Sequence, residues 1–96
     1  MPESTDLKGK VSMVTGANSG IGKVVARELA RMGSSVVMVC RDPQKGEAAR
    51  SEIVAQMGNS SVELMIADLA SLAAVRKLAQ DFTAKQDRLH ILMNNA

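Results

Sequence analysis

The sequence is poor in aromatic residues: Phe82 stands alone, and neither Trp nor Tyr occurs. Proteins that grip single-stranded nucleic acid usually stack bases on aromatic rings, so that mode of binding is excluded. One cysteine, Cys40, cannot form an internal disulfide, and nothing in the composition points to an oxidising compartment. An excess of one charge is also missing. The 12 Lys and Arg are interspersed with 10 Asp and Glu, and the net +2 is too small to argue for nucleic acid or an anionic membrane. No apolar run approaches the roughly 20 residues of a membrane helix, and polar residues 1–6 lack the apolar stretch of a secretory signal. The expectation is a cytoplasmic protein with no nucleic-acid or membrane partner. His90 is the only histidine and has no cluster of Cys, Asp or Glu around it in sequence, so no metal site is expected.

What is present is a regular alternation. After an aperiodic stretch, residues 1–10, read as a flexible leader, residues 11–15 (VSMVT) form a short β-rich run bounded by Gly9 and Gly16. From Gly20 to Met32 the apolar residues Ile21, Val24, Val25, Leu29 and Met32 recur at helical spacing, with Gly33 where a C-terminal cap belongs. Residues 35–40 (SVVMVC) are almost continuously apolar, as in strands covered on both faces. Asp42 and Pro43 open a second helix as cap and first-turn residue. Ala49, Ile53, Val54 and Met57 give that helix a buried side, and Gly58 and Asn59 end it. A third strand is read over residues 61–67. Ser71 then caps a third helix with the face Leu72, Val75, Leu78, Ala79 and Phe82, and a fourth strand covers residues 88–94.

Strands alternating with helices predict an α/β domain: a parallel sheet with helices on both faces. Right-handed crossovers restrict the topology further, and if the first three strands step one way and the fourth returns beside the first, the order is 3-2-1-4. This is the first part of a doubly wound Rossmann sheet, whose ligand crevice opens at the switch point between strands one and four. Residues 11–96 are read as a partial dinucleotide-binding domain, truncated after the fourth strand. Leu89, Ile91, Leu92 and Met93 are then expected beside an open edge.

The densest signal is Thr15-Gly16-Ala17-Asn18-Ser19-Gly20-Ile21-Gly22, between a strand and a helix. Glycines there allow a sharp turn and close approach of backbone N–H groups to a pyrophosphate at the positive end of the helix. A P-loop would need glycine at Ala17 and a hydroxyl at Val24; the strict dinucleotide fingerprint would need a small residue at Val25. The spacing present is G-x-x-x-G-x-G.

With these residues the chain resembles the short-chain dehydrogenase/reductase family over about residues 7–96, and within it the retinol-dehydrogenase-like branch. Asp68-Leu69 matches the place where that family sets an Asp near the adenine ring. Asn94-Asn95-Ala96 is similar to its Asn-Asn-Ala-Gly element without the final glycine, and the position of Thr15 is one that hydrogen-bonds to that element. The resemblance implies hydride transfer between a nicotinamide dinucleotide and a carbonyl or alcohol substrate, usually in a homo-oligomer. The family's catalytic Tyr-x-x-x-Lys is absent from these residues, so no catalytic residue is assigned. The alternative is a non-catalytic dinucleotide-binding module, or a half-domain that assembles with another chain.

The cofactor is read from the end of the second strand, Cys40-Arg41-Asp42. An acid there would hold the ribose 2′-OH of NAD, whereas an arginine accepts the 2′-phosphate of NADP. Arg41, helped by Asn18 and Ser19, favours NADP. The rival reading makes Asp42 a ribose ligand for NAD, although its place before Pro43 already suits it to capping. The candidate cofactor-binding set is therefore Thr15, Gly16, Asn18, Ser19, Gly20, Ile21, Gly22, Arg41, Asp68, Leu69, Asn94, Asn95 and Ala96.

Overall fold

The computed structural model describes residues 7–17, 20–68, 70–85, 89 and 91–93. Seven elements follow one another: β1 (Val11–Thr15), α1 (Gly20–Arg31), β2 (Ser35–Cys40), α2 (Pro43–Met57), β3 (Val62–Ile66), α3 (Leu72–Lys85) and β4 (Ile91–Met93). The four strands form one sheet in the order β3-β2-β1-β4, and every pairing is parallel. This is the doubly wound Rossmann arrangement that the alternation predicts. β3 is shorter than the apolar run over 61–67 suggests, because a run of hydrophobic residues does not reveal where the ladder ends; residues 88, 90 and 94 of the run read as β4 lie outside the described residues.

The alternation of side chains along β1 and β2 creates two cores. Val14, Val36, Met38 and Cys40 point to the face covered by α1 and α2, where Ala26, Leu29, Ala30, Ala49 and Ile53 meet them. Met13, Val37 and Val39 point the other way, toward Phe82 of α3 and Ala67. Successive residues on a strand face opposite sides, so helices on both faces are what a continuously apolar strand requires.

Two helix faces differ from the pattern read in sequence. In α1 the buried residues are Gly22, Ala26, Leu29 and Ala30, while Ile21 is 67% and Val24 47% exposed. Small side chains let the helix axis approach the sheet, so the contact row follows glycine and alanine rather than the larger β-branched residues. In α3, Leu72 and Val75 are exposed, and the helix meets the sheet through Phe82 and, in part, Leu78. A hollow of about 340 Å³ opens between α3 and the edge strand, lined by Leu64, Met65, Ile66, Ala74, Leu78 and neighbouring residues.

Polar contacts fix the lower rim of the sheet. Leu7 N–H donates to Met32 O at 2.7 Å, and Ser35 N–H donates to Lys10 O at 2.9 Å, tying residues 7–10 beside the end of α1. The buried hydroxyls of Ser12 and Ser34 lie 2.6 Å apart. Ser34 Oγ also lies within reach of two carbonyl acceptors, Lys10 O at 3.1 Å and Ser35 O at 3.2 Å. Asn59, just beyond α2, donates through Nδ2 to Ala30 O and Ser34 O, each at 2.9 Å, and accepts from Ser61 N–H at 2.8 Å. One side chain thus joins the end of α1, the entry to β2 and the approach to β3.

Candidate functional site

All four strands run the same way, so their C-terminal ends share one rim of the sheet. In the order β3-β2-β1-β4, the chain leaves β1 for the glycine turn beside the point where connections diverge to opposite sides. A crevice is expected at such a point in an open parallel sheet.

Thr15 ends β1 and is buried, and Gly16 follows with φ 63°. The turn is anchored to the neighbouring strand: Gly16 N–H donates to Val39 O at 2.9 Å, and Ala17, fully buried, donates to the same oxygen at 3.4 Å. Gly20 opens α1 with φ 59°. Both glycines occupy the left-handed region that residues with a Cβ avoid. A Cβ built at Gly20 would meet no atom of the described residues within 4 Å. The first-turn N–H groups of α1 have no intrahelical acceptors and carry the positive end of the helix dipole. Gly22 is buried against the sheet, whereas Ile21 stands out from it.

At the end of β2, two adjacent residues have different fates. Asp42 has extended backbone geometry and accepts from Gln44 N–H at 2.9 Å and Lys45 N–H at 3.2 Å through Oδ1. It is the N-cap of α2, as its place before Pro43 predicts. Arg41 is exposed, and its guanidinium has no ion-pair or hydrogen-bond partner among the described residues. At the end of β3, exposed Asp68 accepts from Ala70 N–H at 3.0 Å through Oδ1, shaping the turn into α3, and its carbonyl accepts from Ser71 N–H at 3.0 Å. Ser71 Oγ in turn accepts from Ala74 N–H at 3.2 Å, the cap expected there.

The structure thus brings Thr15, Gly16, Gly20, Ile21, Gly22, Arg41 and Asp68 to one rim. Asn18, Ser19, Leu69, Asn94, Asn95 and Ala96, like His90, lie outside the described residues. The hollow at the β3 edge contains none of the glycine-turn residues and is a separate feature. Among the described residues no group of three or more His, Cys, Asp or Glu could hold a metal. No described helix is long and apolar enough to cross a membrane.

Residues 10–96 match the family model described as short chain dehydrogenase. The chain belongs to that family. It is 50% identical over 93 residues to retinol dehydrogenase 11 of Mus musculus, a match covering 97% of this chain and 29% of that protein. With retinol dehydrogenase 12 of Bos taurus it shares 52% over 90 residues, covering 94% and 28% respectively. The chain therefore spans less than a third of the length of these curated relatives. Among solved structures, the Pseudomonas aeruginosa RhlG/NADP active-site complex superimposes with a TM-score of 0.89 at 33% identity, over 100% of this chain and 38% of that one. The likeness to short-chain dehydrogenases, and to the retinol-dehydrogenase-like branch within them, is the one that the glycine turn and strand ends suggest.

Two basic residues near the rim escape a reading of sequence alone. Lys23, in the first turns of α1, places Nζ 2.8 Å from Glu52 of α2. Lys45 lies in the first turn of α2 and is exposed. Neither belongs to a spacing motif; the packing of α1 beside α2 makes the Lys23–Glu52 pair.

Proposed function

We propose that this chain forms the cofactor-binding part of an NADP(H)-dependent short-chain oxidoreductase acting on a carbonyl or alcohol substrate. The observation that carries the cofactor choice is the pair Arg41 and Asp42. The carboxylate that could hold a ribose 2′-OH is used by α2 as its cap, while the arginine beside it is exposed without a described partner. A planar guanidinium is suited to a phosphate, which it can meet with two parallel N–H donors. The NADP in the RhlG complex supports this reading, and the retinol dehydrogenases among the relatives support an alcohol or its carbonyl as substrate.

Each candidate residue has a distinct role in this reading. The first-turn N–H groups of α1 hold the pyrophosphate, which Gly16 and Gly20 allow to approach. Arg41 takes the 2′-phosphate, with Asn18 and Ser19 adding hydrogen bonds. Asp68 and Leu69 border the adenine, and Thr15 pins the Asn94-Asn95-Ala96 segment. Bound NADPH would supply the hydride; the protein's part is to orient and hold it.

Fluorescence titration of the purified chain tests the assignment. NADPH should bind more tightly than NADH, and Arg41→Ala should weaken NADPH about tenfold, equivalent to ~1.4 kcal/mol and fitting for one charge-assisted contact. NADH binding should be unchanged. Tighter binding of NADH by the unaltered chain would refute the NADP assignment.

A further inference from the structure

Among the described residues β3 is an outer strand of the sheet, and its free side can be read from its bonds to β2. Val36 N–H donates to Ser61 O at 2.9 Å, and Ala67 N–H donates to Cys40 O at 3.0 Å. Backbone groups alternate in direction along a strand. Residues 61, 63, 65 and 67 therefore bond to β2, while Val62, Leu64 and Ile66 turn their N–H and C=O outward. One of these outward groups is covered: Arg50 of α2 donates through Nε to Val62 O at 2.7 Å. Those of Leu64 and Ile66 have no partner among the described residues.

Beside them lies the hollow of about 340 Å³ between β3 and α3, walled in part by Met65 and by Ile66, which is 47% exposed. Edge strands are commonly blunted by lysine, proline, a bulge or a covering side chain. Residues 64–66 include no lysine or proline, and Arg50 shields only the end at Val62.

We propose that a second copy of the chain adds its own β3 antiparallel to this edge, about a two-fold axis at Met65. Arg50 sets the register. With Leu64 opposite Ile66 of the second copy, four N–H···O bonds form between the unpartnered groups alone, and each Val62 O keeps its arginine. An axis at Leu64 would instead bring Ile66 of the second copy onto the carbonyl that Arg50 occupies. Residues directly opposite in such a pair share a face. The two Met65 side chains therefore meet on the α3 side, over the hollows they line. On the α2 side, exposed Asp68 of the second copy comes opposite Val62, beside the Arg50 guanidinium, and the same charge pair repeats at the other end. The helices fit as well. Gly46 sets α2 over Leu64 and Cys40, above the gap between β3 and β2. Strands ~4.8 Å apart then place the two copies of α2 roughly 10 Å from each other, an ordinary helix-packing distance. The contact is small, so association is weak and reversible.

Cysteine cross-linking of the purified full chain tests the pairing, since Cys40 is the only native cysteine and is buried. Met65→Cys faces its own mate across the axis at a Cα separation of ~4.5 Å, within disulfide range. Mild oxidation should convert most of that variant to a disulfide dimer on non-reducing gels. Glu63→Cys, on the same face but opposite Ala67, should stay largely uncrosslinked. Without oxidant, sedimentation velocity from roughly 10 μM to 1 mM should show the unaltered chain passing reversibly to a dimer. Ile66→Pro removes an outward N–H from each copy and no bond to β2. It should raise the midpoint concentration about tenfold, with an unchanged circular dichroism spectrum. A monomer throughout that range, cross-linking of Glu63→Cys as readily as of Met65→Cys, or a dimer that Ile66→Pro leaves intact would each overturn the proposal. None of these outcomes bears on the cofactor preference, which the NADPH and NADH titrations read separately.

Discussion

Gly20 and Gly58 form a matched pair that separates the cost of a glycine substitution to folding from its cost to binding. Gly20 has φ 59° and Gly58 has φ 66°, and among the described residues an added Cβ would meet nothing within 4 Å at either position. Alanine at either site therefore carries the same penalty, the left-handed backbone, of about 1–2 kcal/mol. Restricting the unfolded chain returns about 0.4–1 kcal/mol. The net loss is near 1 kcal/mol, or roughly 4–8 °C in Tm for a domain of this size. Thermal unfolding followed by circular dichroism should give similar losses for Gly20→Ala and Gly58→Ala. Their ligand binding should differ. Gly58 caps α2, donating its N–H to Val54 O, at the end remote from the crevice. Gly20 opens α1, where a methyl group would hold off a pyrophosphate. Gly20→Ala should weaken NADPH and NADH alike by more than about tenfold, whereas Gly58→Ala should bind both as the unaltered chain does, titrated well below either Tm. Unchanged binding by Gly20→Ala, or an equal loss in Gly58→Ala, would refute the placement of the pyrophosphate at this turn.

Two further substitutions test the scaffold behind the crevice. Asn59→Ala removes three hydrogen bonds and leaves the half-enclosed Ser34 carbonyl short of a donor; a loss of about 2–3 kcal/mol is expected in denaturant unfolding. Asn59→Asp should do no better, since it turns a carboxylate oxygen on two carbonyls, and native stability in that variant would contradict the contacts described. Gly46→Ala would place Cβ 2.9 Å from Leu64 Cδ1 and 3.2 Å from Cys40 Cβ. The Leu64 methyl can turn aside but the Cys40 Cβ cannot, so overpacking of about 1–3 kcal/mol is set against a helix-propensity gain near 1 kcal/mol. A lower Tm is expected; a Tm above that of the unaltered chain would show that α2 can move off the sheet freely.

The element order and the strand order were legible because both rest on coarse, repeated signals: continuous apolar strands, helical spacing between them, and caps at Asp42 and Ser71. The helix faces were less so. Counting large apolar residues places Ile21 and Val24 of α1 in the core, but Gly22, Ala26 and Ala30 are what allow the helix to approach β1 and β2. Periodicity records which residues avoid water and not how near two backbones can come. The Asn59 clasp and the Ser12–Ser34 pair were invisible for a different reason. Each joins segments separated by more than 20 residues, and no local pattern marks a polar side chain that will find its partners so far away.

The candidate site shows how folding can decide between neighbours that sequence leaves in competition. Arg41 and Asp42 were both plausible ribose-side ligands, with opposite consequences for the cofactor. Helix α2 resolves the competition by using the carboxylate: two N–H groups without intrahelical acceptors need it, and removing such a cap costs about 1 kcal/mol. Turning Asp42 toward a ribose would forfeit those contacts, so selectivity for NAD would have to be gained against helix stability. Arg41 carries no such obligation among the described residues. The same cap fixes the first turn of α2 directly after Arg41, since both Gln44 N–H and Lys45 N–H donate to Asp42 Oδ1. A change at Asp42 should therefore be felt at the phosphate as well as in α2. Asp42→Ala should lower the NADPH preference without giving NADH a better site, and a gain in NADH affinity would mean that the carboxylate had been shaping the pocket by its charge.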